Sequence, residues 1–227
     1  LDAGPACVLL IQNPSGHTMT TIVLLLRRHS LWAGVVLLIG CGATVQTGNR
    51  SAWKSNVTMF ESELQDLQAA LAIPGLAYVI VTDSGTVASG AFGVSQAPDR
   101  TPFATSTPLR IASVTKSITA VIALQLVEEG RLDLDAPARQ YAPGLSLPSD
   151  VLVRHLLTHT SEGAVGAEYV YSSSRFAMLR TVIEAVADTG FDVVVRERIL
   201  DRAAMQSHPS PDLGAHAGLV STVDDIG

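Results

Sequence analysis

The sequence predicts an α/β chain (an α+β sandwich) in which an antiparallel sheet is flanked by helices. Three observations predict it. Leu76 to Thr82 and Thr86 to Val94 are apolar, β-branched runs joined by the turn signal Asp83-Ser84-Gly85, which together read as a hairpin. Ile111 to Glu129 carries Ile118, Val121, Ile122, Leu124, Leu126 and Val127 at helical spacing and is closed by Gly130. The 227 residues are 47% apolar, enough for one core, and at 5% aromatic that core must come mainly from Leu, Val, Ile and Ala. No internal repeat or low-complexity tract interrupts the pattern.

The N-terminal region has a different character. The chain starts with Leu1, and Met19 is a candidate internal start. Arg27 and Arg28 precede the apolar stretch Leu31 to Ile39 and then Gly40-Cys41, the order of a secretory signal. The stretch falls short of the about 20 apolar residues a spanning helix needs. Leu38-Ile39-Gly40-Cys41 resembles a bacterial lipobox, which implies diacylation of Cys41 and an exported, periplasmic or cell-surface protein held to the membrane by lipid. The expected organisation is therefore 1–18 as a leader that is not part of the product, 19–41 as lipoprotein signal peptide, 42–55 as a polar tether and 56–227 as the domain.

Beyond Cys41 the chain has two fewer basic and one fewer acidic residue than the whole, which has 15 and 21, leaving a net charge of −7. That balance argues against nucleic acid, whose phosphates require a basic patch. The other cysteine is Cys7, inside the expected leader, so a mature chain would have neither a disulfide nor a cysteine metal site.

Within the domain, Phe60, Leu64, Leu67 and Leu71 recur at helical spacing until Pro74-Gly75, and the hairpin and a loop over 97–108 follow. The dense apolar content of the 111–129 helix predicts burial on most sides. Pro137, Pro143 and Pro148 punctuate an irregular stretch, after which Asp150 is the expected N-cap of a short helix through Leu157. A turn-rich segment over 159–168 leads to helices over 174–187 and 191–200.

The chemistry centres on Ser113-Val114-Thr115-Lys116 at the start of the apolar helix. Residues three apart share a helix face, so the serine hydroxyl lies beside the lysine amine. The helix start offers unpaired N–H groups to a developing oxyanion. A lysine can activate serine as a base where burial and nearby positive charge favour its neutral form. The four residues alone are a weak signal, equally compatible with an N-cap serine and a snorkelling lysine.

Their surroundings are more specific. Leu109 to Ser117 resembles the active-site segment of the β-lactamase-related serine hydrolases, the family of class C β-lactamases, D-Ala-D-Ala carboxypeptidases, penicillin-binding proteins and certain esterases. Arg154 to Ser161, Tyr171 to Ala177, Arg196 to Leu200 and Gly218 to Thr222 resemble further landmarks of that family, in order. The resemblance implies the β-lactamase/transpeptidase-like fold, Ser113 as nucleophile, Lys116 as its base and Tyr171 as proton relay, with Tyr169 as a competitor for that role. It implies a small-molecule or peptide substrate carrying an amide or ester, and no cofactor.

Three departures qualify the expectation. Ser173 stands where the family usually has a substrate-binding Asn, and offers no NH₂ donor pair. Glu162 replaces the usual Gly after Thr160-Ser161, before a short link to Tyr171. The family's third motif, Lys or His followed by Ser or Thr and Gly, would lie beyond residue 227. The sequence therefore reads as an incomplete, catalytically crippled and poorly stable part of a longer product. A non-catalytic envelope binding or sensing protein on the same fold is the alternative. His155 and His159 have zinc spacing, but Leu156 follows where a zinc protease needs Glu, and no third ligand is evident. Oligomeric state leaves no signal.

Overall fold

The computed structural model describes residues 6–12, 19–25, 50–82, 85–95, 100–210 and 214–227, and they form two compact units. Cys41 and the apolar stretch before it lie outside the described residues. Among the described residues no helix is long and apolar enough to cross a membrane.

The first unit is built on the predicted hairpin. Strands β3 (Gly75–Thr82) and β4 (Gly85–Gly93) pair antiparallel, with Leu76 opposite Phe92 and Tyr78 opposite Gly90. Two strands from the expected leader and signal, β1 (Ala6–Gln12) and β2 (Met19–Leu25), extend the sheet in the order β2-β1-β3-β4. Helix α1 (Arg50–Ala70) precedes the hairpin, and its first six residues fall within the expected tether.

Leu64, Ile73, Leu76 and Tyr78 form the core here, joined by Phe60, Ile80, Ala88 and Phe92. Tyr78 is wholly buried, with the Phe60 ring edge-on at 5.2 Å and its hydroxyl donating to Glu61 Oε1 at 2.6 Å. That ring dictates the residue opposite it. A methyl at Gly90 would lie 2.6 Å from Tyr78 Cε1.

In the second unit, β5 (Leu109–Arg110), β7 (Leu219–Ser221) and β6 (His208–Pro209) form a small antiparallel sheet in that order. A 3₁₀ turn (Ala112–Val114) leads into α2 (Thr115–Glu128). Short helices α3 (Ala138–Tyr141), α4 (Val153–Leu157) and α5 (Ser173–Ala177) precede α6 (Leu179–Ala187) and α7 (Phe191–Val195). A π-helical segment, Arg196–Leu200, continues α7 as the predicted 191–200 helix requires. A 3₁₀ turn (Gly214–His216) and α8 (Val223–Ile226) complete the unit. Helix α2 packs against α6 and α7, and Ile122, Leu126, Leu156, Leu179, Ile183 and Leu200 are buried.

Two local expectations are corrected. Helix α2 is not buried on most sides. Its buried face holds Thr115, Lys116, Thr119, Ile122, Ala123 and Leu126, whereas Val121 is 45% and Leu124 48% exposed. The inner arc therefore carries a lysine and two threonines, while two large apolar residues face outward. Asp150 does not cap α4 either. The N-cap position is Leu152, whose N–H donates to His155 Nδ1 at 3.2 Å, so the helix is closed from within by its own histidine.

Candidate active site

The second unit alone holds the site. Strand β5 delivers the chain to Ala112, whose φ of 45° places a residue with a Cβ in the left-handed region. That conformation costs about 1 kcal/mol. It turns the chain so that Ser113, the middle residue of the 3₁₀ turn, is exposed. One turn later Lys116 points inward and is 8% exposed, with Nζ 3.0 Å from Ser113 Oγ.

Two threonines on the same buried face prepare the lysine's surroundings. Thr119 donates its hydroxyl proton to Ala215 O at 2.7 Å, and Leu219 N–H donates to Thr115 Oγ1 at 3.1 Å. Fixed at both ends, the segment presents the His216 carbonyl to Lys116 Nζ at 2.9 Å. Ser173 Oγ, in the first turn of α5, is 3.4 Å from the same nitrogen. Lys116 therefore has three neutral hydrogen-bond partners, and it lies over the rings of Tyr171 and Phe176 at 5.1 and 5.6 Å.

Tyr171 completes a triangle. Its hydroxyl is 2.8 Å from Ser113 Oγ, and the residue is 52% exposed, so the reacting atoms are open to an incoming molecule. Interaction with Lys116, then the hydrogen bond to Ser113, lowers the phenol from its usual 10 to about 8. Tyr169, the competitor in the sequence, is 67% exposed and sits edge-on to His159 at 6.0 Å. Burial, followed by the charge of Lys116, lowers the pKa of both His159 and His216 below the ordinary histidine value.

The structure thus gathers Ser113, Lys116, Tyr171 and Ser173, the candidates found in the sequence, while Cys41 lies outside the described residues. Sequence reasoning missed the His216 carbonyl, which reaches Lys116 from 100 residues away and has no motif of its own. It missed the strained Ala112, and it assigned His159 no part in the site. A run of Thr, Lys and Thr at positions 115, 116 and 119 inside an apolar helix was the available signal. Glu162, noted only as a departure, accepts from Ser172 Oγ at 3.0 Å and from Arg175 Nε at 3.2 Å.

A family model described as Beta-lactamase matches residues 60–227. The chain is 35% identical over 80 residues to the human serine beta-lactamase-like protein LACTB, mitochondrial, covering 35% of this chain and 15% of that protein. It is 36% identical over 88 residues to the Aspergillus terreus monacolin J acid methylbutanoyltransferase, covering 31% and 20%. Over 66 residues it is 47% identical to esterase EstB of Burkholderia gladioli, covering 26% and 17%. In fold it resembles the octameric penicillin-binding protein homologue from Pyrococcus abyssi, with a TM-score of 0.70 at 23% identity, over 75% of this chain and 54% of that one. The D-alanine carboxypeptidase AmpC from Burkholderia cenocepacia gives 0.68 at 23% identity, over 78% and 63%. The matches span at most 20% of these curated relatives, and just over half to nearly two thirds of the solved chains. The fold is of the β-lactamase/transpeptidase type, with helices and antiparallel sheets.

Proposed function

Because the chain belongs to the Beta-lactamase family, we propose that it carries the acylation site of a serine hydrolase or acyltransferase, with Ser113 as nucleophile. One observation carries this reading: Ser113 Oγ has Lys116 Nζ at 3.0 Å and Tyr171 OH at 2.8 Å, two groups able to receive its proton. Ser113 Oγ bonds to the carbonyl carbon of an ester or amide as its proton passes to Lys116. Tyr171 hands that proton to the leaving oxygen or nitrogen as the C–O or C–N bond breaks. Before acylation, an ionised Tyr171 takes a proton from the ammonium of Lys116 and so leaves the neutral amine that receives the proton of Ser113. Water or an acceptor alcohol then takes the acyl group from Ser113.

The Ser113 N–H, at the start of a helical turn, is a donor for the carbonyl oxygen. Ser173 places a hydroxyl, not an amide, beside Lys116. This favours acyl groups that do not require a paired amide contact. The named activities of the methylbutanoyltransferase and esterase relatives support the same choice. The proposal extends to an exported lipoprotein modified at Cys41, on the strength of the residue pattern alone. Incorporation of labelled palmitate that is lost in Cys41→Ser tests that part.

For the catalytic part, the full chain is treated with a fluorophosphonate probe and with p-nitrophenyl acetate, nitrocefin and a D-Ala-D-Ala peptide. Probe attached to Ser113, absent in Ser113→Ala, is the expected result. An unlabelled Ser113 in a folded chain would leave the non-catalytic binding reading in its place.

A further inference from the structure

Tyr171 is half exposed, so the contacts on its buried side set its aim at Ser113. The chain on either side of it is tied to a single residue. Val170 N–H donates to the His159 carbonyl at 2.8 Å, and Ser172 N–H donates to His159 Nδ1 at 3.2 Å. The His159 ring also lies against the Tyr171 ring at 4.5 Å and stacks on Phe176 at 5.4 Å. His159 is itself 9% exposed, with its backbone in the left-handed region at φ 57°.

We propose that His159 is the positioning residue for Tyr171: it grips the backbone on both sides of the tyrosine and backs its ring, so that the phenol oxygen stays on Ser113. The inference rests on the acyl-transfer reading of Ser113. The imidazole does not touch the reacting atoms and acts through Tyr171. Its grip requires the neutral tautomer with the proton on Nε2, because Nδ1 accepts from Ser172. A proton on Nδ1 sets two donors against each other and releases one side of the grip.

Ionisable groups face the ring from α2 and from the segment before α5. Lys116 of α2 sets a positive charge near it. Tyr169 and Tyr171 face it from the segment before α5. Glu162 reaches that segment one hydrogen bond further away, through Ser172. Burial and Lys116 both favour the neutral ring. Acid therefore affects the site twice, by protonating Tyr171 and then by loosening its support.

The test is the rate of fluorophosphonate labelling of Ser113 between pH 5.5 and 9 in the wild-type chain, His159→Asn and His159→Phe. Asparagine tolerates the left-handed backbone and keeps an acceptor that does not titrate, whereas phenylalanine keeps the ring and loses the acceptor. His159→Phe is expected to label about tenfold more slowly at pH 8 and His159→Asn to stay within about threefold, the scale of a misplaced reacting group. In the wild type, the logarithm of the rate should fall with a slope of about one below pH 8, and steepen toward two at the acid end of the range as the histidine takes its proton. His159→Asn should keep the slope of about one throughout, as its amide has no proton to gain.

Wild-type rate and profile in His159→Phe, or persistent steepening in His159→Asn, overturns the inference. If His159→Phe does not fold by circular dichroism, His159→Asn decides alone. No labelling of the wild type at any pH defeats the nucleophile reading instead. The inference is then decided by NMR: Tyr171 ring signals that follow the His159 titration uphold it, and signals indifferent to it overturn it.

Discussion

Tyr171→Phe removes one oxygen atom and tests the site most directly. With a phenol at about 8, about one-tenth of the molecules carry the phenolate at pH 7, half at pH 8 and nine-tenths at pH 9. If that ionisation supplies the base for Ser113, the acylation rate climbs about fivefold from pH 7 to 8 and less than twofold from 8 to 9. Tyr171→Phe should erase this limb and lower the rate about 10²- to 10⁴-fold, the usual worth of a placed general base. The burst of p-nitrophenol from p-nitrophenyl acetate in stopped flow measures the rate. The 295 nm titration of wild type minus Tyr171→Phe isolates one tyrosinate from the four tyrosines of the chain. A burst rate that is flat from pH 7 to 9, or a difference titration centred near 10, refutes the reasoning.

Three further outcomes follow from features away from the reacting atoms. Ala112→Gly relieves the left-handed backbone before Ser113, so the urea midpoint should rise by the equivalent of about 0.5–1 kcal/mol. Gly90→Ala places a methyl 2.6 Å from the buried Tyr78 ring, and thermal melting should show a loss of about 1–3 kcal/mol. His159 and His216 have pKa values lowered on folding, so the unfolded chain binds protons first. The stability this confers is complete above about pH 6.5 and is lost as pH falls below it, so urea midpoints at pH 7.5 and 5.5 should differ in that direction.

Much of the scaffold was legible because its signals are local. The hairpin followed from two β-branched runs and a three-residue turn, and the structure places its strands within one residue of the reading. Ser113 and Lys116 lie one helical turn apart, so their meeting is a property of spacing. Tyr171 and Ser173 were found through family resemblance, because no local rule brings residue 171 to residue 113. The His216 carbonyl was invisible, since a main-chain oxygen leaves no mark in a sequence. The exposed side of α2 was misjudged because apolar density does not say which arc faces inward. The buried lysine and threonines of that helix carried the information, and they had been read as chemistry without being used as geometry.

If the product includes residues 6–12 and is cleaved before Cys41, the pairing of β1 with β3 makes that cleavage a topological event. Six residue pairs, from Ala6 with Val81 to Ile11 with Leu76, fill one flank of β3 with a segment that precedes Cys41. A flank of a strand has room for a single neighbour, so residues 6–12 and any other strand are mutually exclusive occupants of it. Cleavage before Cys41 would remove the occupant and leave the peptide groups of 76–81 on that flank unpaired. A precursor would then carry its own cover, and a processed chain would present a vacancy to another strand. Amide exchange along Leu76 to Val81, slow before cleavage and fast after it, would register that change of tenancy.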